Sequence, residues 1–250
     1  RTHRIEIDID GESTPIPQLV GLKRPALVLL NDDDLAYAKI RLDDRSWSTA
    51  LENLSKFDDS LARTLIWGAA WDSTRDAEAS PRDFIKLVLN NIGQETESTT
   101  MLTLLRQLVT TANSFVAPHH RSEVISQIGY GLLGLAREAE PGSDAQLQFT
   151  KFFALFANNN ELLDSLQALR DGGQKLDGLK IDADLSWELL TGLVVGGRLG
   201  SADIDAALKA DNTSNGQKAA AGARAGLPNA ADKAAAWHTL TQTHDLSNIL

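Results

Sequence analysis

The chain has 250 residues and no cysteine, with 42% hydrophobic and 23% charged side chains and a formal net charge of −10. That composition supplies a sizeable buried core, and the missing thiols exclude disulfides, thiolate metal sites and a cysteine nucleophile. The acidic average field repels a phosphate backbone, and no apolar run approaches the roughly 18 residues of a membrane helix, so neither nucleic acid nor membrane is an expected partner.

The chain opens at Arg1 without an initiator methionine, on a charged alternating segment unlike a signal peptide. A processed start or an excerpt is the expectation, and the cysteine-free composition suits a reducing, cytoplasmic compartment, with a cysteine-free secreted protein the alternative. His3, Arg4, Ile5, Glu6, Ile7, Asp8 and Ile9 alternate polar and apolar side chains, the period of a half-buried strand. Asp10-Gly11-Glu12 supplies a turn, and Pro15 and Pro17 restrict the next stretch to an extended or edge strand. Residues 26–30 and 35–42 are two further strand candidates, flanking the polar turn Asn31-Asp32-Asp33-Asp34. Residues 1–43 are therefore expected to complete a small β-sandwich.

From residue 44 to residue 250 the pattern is helical. Asp44 or Ser46 is a candidate cap for a helix through Leu51 and Leu54, and Asp58 or Ser60 for one carrying Leu61, Leu65, Trp67 and Trp71. Ser80-Pro81 puts a cap residue before a proline at the first helical position, ahead of Phe84, Leu87, Val88 and Ile92. Further helices are predicted over 101–112, 122–139, 144–157, 161–169, 185–195, 202–210, 217–225 and 230–240. Gly, Pro, Asn and Asp separate them, and successive antiparallel pairs of this kind stack into an irregular solenoid or superhelix of the HEAT or armadillo type. The stretch from Gly172-Gly173 to Asp184 is the longest break, a hinge or a loop. The tail from His238 to Leu250 ends on an apolar residue with no cap, which reads as a stack cut short.

The residues that carry chemistry form no recognisable constellation. A helical zinc-peptidase site needs His-Glu-x-x-His, with two imidazoles on one face; the motif is absent. His119 and His120 are adjacent and diverge by about 100° on a helix. Glu123 lies within reach of His119, but behind Pro118 these residues read as a solvated helix start. His238 and His244 share no helical face. Asp32-Asp33-Asp34 lacks the spaced oxygens and bend glycine of a calcium loop. No serine sits in a G-x-S-x-G elbow. Gly192, Gly196, Gly197 and Gly200 match no phosphate-binding fingerprint and suit close helix packing or a helix end. Trp47, Trp67, Trp71, Trp187 and Trp237 read as core at helical spacing, with a binding surface the alternative. No catalytic or metal-binding residue is assigned.

Two segments carry a family resemblance. Leu29-Leu30-Asn31-Asp32-Asp33-Asp34-Leu35-Ala36-Tyr37-Ala38-Lys39, running into Ile40-Arg41-Leu42-Asp43, is the first, and Arg63-Thr64-Leu65-Ile66-Trp67-Gly68-Ala69-Ala70-Trp71-Asp72 the second. Together they resemble the C-terminal region of bacterial aminopeptidase N, of the M1 zinc metallopeptidases, and Ala231-Asp232-Lys233-Ala234-Ala235-Ala236-Trp237 is similar to a later stretch of it. The resemblance implies a β-sandwich followed by a helical superhelix. It also implies a zinc site in a catalytic domain of the same polypeptide, none of whose ligands matches a position here, and peptides as substrates of that parent. Such a domain encloses the active site and can offer basic groups to a peptide carboxylate; Arg106, Arg121, Arg137, Arg170 and Arg198 are the candidates, with surface salt links the plainer reading. The alternative function is a free-standing helical-repeat scaffold that binds a protein partner.

Overall fold

The structure, a computed structural model, describes residues 3–243. Eleven α-helices follow one another among them: α1 Asp44–Asn53, α2 Ser60–Arg75, α3 Pro81–Asn91, α4 Ser98–Thr110, α5 Pro118–Glu138, α6 Asp144–Phe156, α7 Asn160–Arg170, α8 Ala183–Val195, α9 Ser201–Ala210, α10 Ser214–Gly226 and α11 Ala230–Gln242. Every helix predicted from periodicity is present, with ends shifted by a few residues. The first two caps are each one residue from a predicted candidate, Asp43 before Asp44 and Asp59 between Asp58 and Ser60. Asp43 accepts hydrogen bonds from the amides of Arg45 and Ser46, and Asp59 from those of Leu61 and Ala62. Each satisfies N–H groups that a first turn leaves unpaired.

The β-sandwich expected over residues 1–43 is not there. No strand occurs among the described residues, and 3–43 runs as irregular chain with 3₁₀ turns at Pro17–Leu19 and Asp32–Asp34. The physical reason is the missing neighbour. Alternation makes a strand only when a second strand takes up its N–H and C=O groups and a core takes its apolar face. Here Ile7 is 37% and Ile9 75% exposed. The predicted polar turn does form, but as a local structure. Asn31 donates from Nδ2 to the Ala36 carbonyl at 2.8 Å and accepts from the Ala36 amide at 2.8 Å, while the flanking stretches remain unpaired.

The helices form two walls, the solenoid-like arrangement expected. α2, α4, α6, α8 and α10 touch in succession along one wall, as α1, α3, α5 and α7 do along the other. A continuous core between them runs from Ala50 on α1 to Leu193 on α8. A smaller cluster of Trp187, Leu190, Val194, Ile204, Ala220, Ala223 and Leu227 joins α8, α9 and α10. The α6–α8 contact is close because Gly192 lies against the Ala154 carbonyl, which a Cβ would approach to 2.5 Å. Gly197, at φ +72°, ends α8 in a left-handed turn in which the Arg198 amide reaches the Leu193 carbonyl at 2.9 Å.

The break between α7 and α8 is a strapped loop. Leu176 is buried, and Gln146 Nε2 donates to the Asp177 carbonyl at 3.1 Å. Gly178 packs directly on Gly142.

Candidate functional site

Of the predicted site residues, only His119 and His120 come together. Pro118 starts α5, with His119 exposed, His120 half-buried and their rings 4.1 Å apart; Glu123 is exposed. No group of three or more His, Cys, Asp or Glu able to hold a metal ion exists among the described residues. The side chains of the described residues therefore do not fit a zinc site. His238 lies exposed on α11, and His244 is outside the described residues. Trp47, Trp67, Trp71 and Trp187 pack in or against the two cores, as their spacing predicts, while Trp237 is 71% exposed on α11.

The five arginines do not converge either. Arg106 and Arg137 are exposed on α4 and α5. Arg121 reaches back to the Val116 carbonyl at 3.3 Å, and Arg198 pairs with Asp164 at 2.8 Å. Arg170 borders a cleft of about 450 Å³ between α7, α8 and α9, together with Trp187, Asp203 and Asp211. Its carboxylates already hold local structure. Asp211 accepts from Trp187 Nε1 at 2.9 Å and Thr213 Oγ1 at 2.8 Å, and these hydrogen bonds, Trp187's first, hold its carboxyl below the usual range. Asp203 accepts from the Gly200 amide at 2.9 Å, closing the first turn of α9.

Two polar constellations escaped the sequence reading. The first is buried. Arg63 on α2 places Nη2 3.0 Å from Glu95 Oε1 and Nε 3.3 Å from Oε2, and Trp67 Nε1 donates to Oε2 at 3.1 Å. Arg63 Nη1 also donates to the Phe57 carbonyl at 2.6 Å. Burial pushes the Glu95 carboxyl up, but the hydrogen bonds from Arg63 and Trp67 outweigh it and the net shift is downward. With its donors matched by acceptors, this cluster ties α2 to the turns before α2 and α4 and leaves no group open for chemistry. Its signal was an arginine four residues before a tryptophan on an otherwise apolar helix face; its partner, 32 residues away, had no local signal.

The second joins the N-terminal segment to the helices. Val28 N–H donates to Ser46 Oγ at 2.9 Å, and Thr49 Oγ1 donates to the Ala26 carbonyl at 2.8 Å. Leu27, Leu29 and Leu42 pack on the core. Further along, Lys39 Nζ lies 2.9 Å and Arg41 Nη2 2.6 Å from Asp76 Oδ2, and Arg41 Nε donates to Glu78. Residues 26–43 are thus laid along α1 and the end of α2.

Residues 27–249 match the ERAP1-like C-terminal domain family. The chain belongs to that family. It is also 44% identical over 248 residues to aminopeptidase N of Streptomyces lividans, an alignment covering 99% of this chain and 29% of that protein. The likeness to aminopeptidase N read from residues 29–43, 63–72 and 231–237 is thereby shown. The chain spans under a third of this curated relative's length. The match to the ERAP1-like C-terminal domain takes in residues 27–43 as well as the helices, in keeping with the packing of that segment on α1 and α2. No helix among the described residues is long and apolar enough to cross a membrane.

Proposed function

We propose that this chain is a non-catalytic part of a cytoplasmic zinc aminopeptidase, where it bounds the chamber that peptides enter to reach the active site. The observation that carries the reading is the alignment with an aminopeptidase N over 99% of this chain and only 29% of that protein. On this reading the zinc and the water it activates belong to another part of the same polypeptide, and that part is the principal partner. Residues 44–250 are the superhelical body, and residues 1–43 are the piece that meets the rest of the enzyme.

The exposure of the N-terminal piece supports this division. Ile9 is 75%, Val20 82% and Leu35 81% exposed, and Tyr37 is fully so. Several large apolar side chains left bare along one segment fit a surface that another part of a protein covers.

The reading is tested by assaying the purified chain for release of an aminoacyl-coumarin fluorophore and for bound zinc. No turnover and no stoichiometric metal are expected. Turnover abolished by a chelator would overturn the proposal and turn attention to His119, His120 and Glu123. The chamber role makes a separate prediction for the whole enzyme. Substitutions on this chain should change kcat/KM for long peptides more than for the small coumarin substrate, and equal effects on both would leave this part with a stabilising role alone.

A further inference from the structure

The hold of the N-terminal segment on the helical body is of two chemical kinds. Residues 26–29 are held by backbone hydrogen bonds to Ser46 and Thr49 and by the packing of Leu27 and Leu29. Residues 39–41 are held by charge. Lys39 and Arg41, two apart in extended chain, point to one side and meet Asp76 and Glu78, which have the same spacing at the end of α2. Acidic groups at a helix C-terminus oppose the helix dipole, so the end of α2 is unfavourable in itself and is offset by these cations. Asp76 takes both of them.

The other ion pairs of the segment lie within it, the last at the cap of α1: Arg4 pairs with Asp32 and Asp33, and Arg24 with Asp43. No residue of 3–43 is buried.

We propose that Lys39, Arg41, Asp76 and Glu78 form an electrostatic clasp that opens with rising ionic strength while the helical body stays folded. An isolated exposed ion pair would hold little. Here two cations share two carboxylates, and the inner pair is sheltered, with Arg41 and Asp76 side chains 33% and 32% exposed. The hydrogen bonds of the clasp also hold the Arg41 guanidinium above and the Asp76 carboxyl below their ordinary values. Both groups therefore stay charged across neutral pH, and salt is the variable that opens the clasp. At about 1 M salt the screening length falls to about 3 Å, comparable with the pair distances. On the function proposed above, the clasp would set the angle at which the N-terminal piece presents the rest of the enzyme to the helical stack. That consequence rests on the earlier reading; the clasp itself is testable on this chain alone, so the two fail separately.

Trypsin supplies the test, because it must draw the Lys39 or Arg41 side chain into its own pocket. Hydrolysis of a small arginyl-amide substrate in the same buffers serves as the control for effects of salt on the protease. Cleavage after Lys39 and Arg41, relative to that control, is expected to rise about tenfold between 50 mM and 1 M NaCl, tracking the open population. The double variant Asp76→Asn, Glu78→Gln should show the raised ratio already at low salt and little further response. Helix content, read by circular dichroism, should stay constant in both. An unchanged ratio in salt and in the variant would overturn the proposal. So would simultaneous new cuts within α2–α8, which would make the segment part of the cooperative fold. Should the variant fail to fold, the salt series on the native sequence still decides.

Discussion

Two stretches of this chain use similar apolar side chains with opposite results. In α1–α10 every helix sends at least one residue into a core, and Phe84, Phe149 and Phe153 are at most 1% exposed. In residues 3–43 Ile9, Val20, Leu35 and Tyr37 stay largely in solvent. Helices satisfy their own backbone and need only a neighbour for one face, so a stack of them can close on itself. Extended chain needs a second chain for its backbone before its apolar alternation has any effect. The contrast locates stability in the two walls and leaves the N-terminal segment, on the function proposed above, as surface for another part of a larger protein.

The largest expected effect tests that contrast directly. Phe153→Ala removes a ring from the centre of the continuous core and should cost about 4 kcal/mol in urea unfolding of this chain. Ile9→Ala and Tyr37→Ala should each stay within about 0.5 kcal/mol. A loss above about 1.5 kcal/mol at Ile9 or Tyr37 would break the comparison, because it would mean that the segment shares the core's cooperative unit.

Glu95 sharpens it at a polar position. Glu95→Gln leaves the Arg63 guanidinium, whose side chain is 9% exposed, without its counter-charge and should cost about 3 kcal/mol at neutral pH. The pH dependence has a definite sign. The folded-state carboxyl lies below its ordinary value, so its stabilisation is complete above the unfolded value of about 4.3 and is lost as pH falls through the lowered one. The native chain should therefore lose stability on acidification below about pH 4 more steeply than the Gln variant. Parallel curves would show that Arg63 and Trp67 do not hold Glu95 ionised.

A smaller effect belongs to the loop between α7 and α8. Gly178 has φ +75°, and a Cβ there would lie 2.5 Å from the Gly142 amide nitrogen. Gly178→Ala should cost about 2 kcal/mol through strain and displacement of the 141–142 turn. A hinge would absorb the change, so a neutral result would restore the hinge reading of this stretch.

Much of this architecture was legible because helices announce themselves locally. Spacing of Leu, Phe and Val, Pro81 at a first position and Gly196-Gly197 at an end fixed the helices to within a few residues. Strand alternation at Ile5, Ile7 and Ile9 was equally visible, but a strand is a statement about a partner, and the candidate partners over 26–30 and 35–42 stay unpaired. The same limit hid Glu95 from Arg63 and Asp76 from Arg41. Each pair is joined across more than 30 residues, and only the packing of α2 against its surroundings brings them together. The site reading was negative for a local reason: His119 and His120 lack the i, i+4 spacing of a helical zinc site, although their rings pack together. The family likeness rested on segments around Arg41 and Arg63, the two residues whose ion pairs fasten α2.

The finest distinction lies where the two regions meet. α2 ends in a left-handed turn at Ala77, φ +61°, with the Glu78 amide reaching back to the Ser73 carbonyl at 2.8 Å. Glycine is the usual occupant of such a position, because a Cβ there costs about 1–2 kcal/mol. The loss of chain entropy in a glycine variant returns part of that. Ala77→Gly should therefore stabilise the chain by about 0.5 kcal/mol. Since residue 77 stands between Asp76 and Glu78, the variant also asks whether the strained alanine is needed to aim both carboxylates at Lys39 and Arg41. If the aim depends only on the turn itself, the variant will be more stable and the salt response of cleavage after Lys39 will be unchanged. If stability rises but the low-salt protection of Lys39 is lost, the rigidity of Ala77 is what keeps the N-terminal segment fastened to the helices.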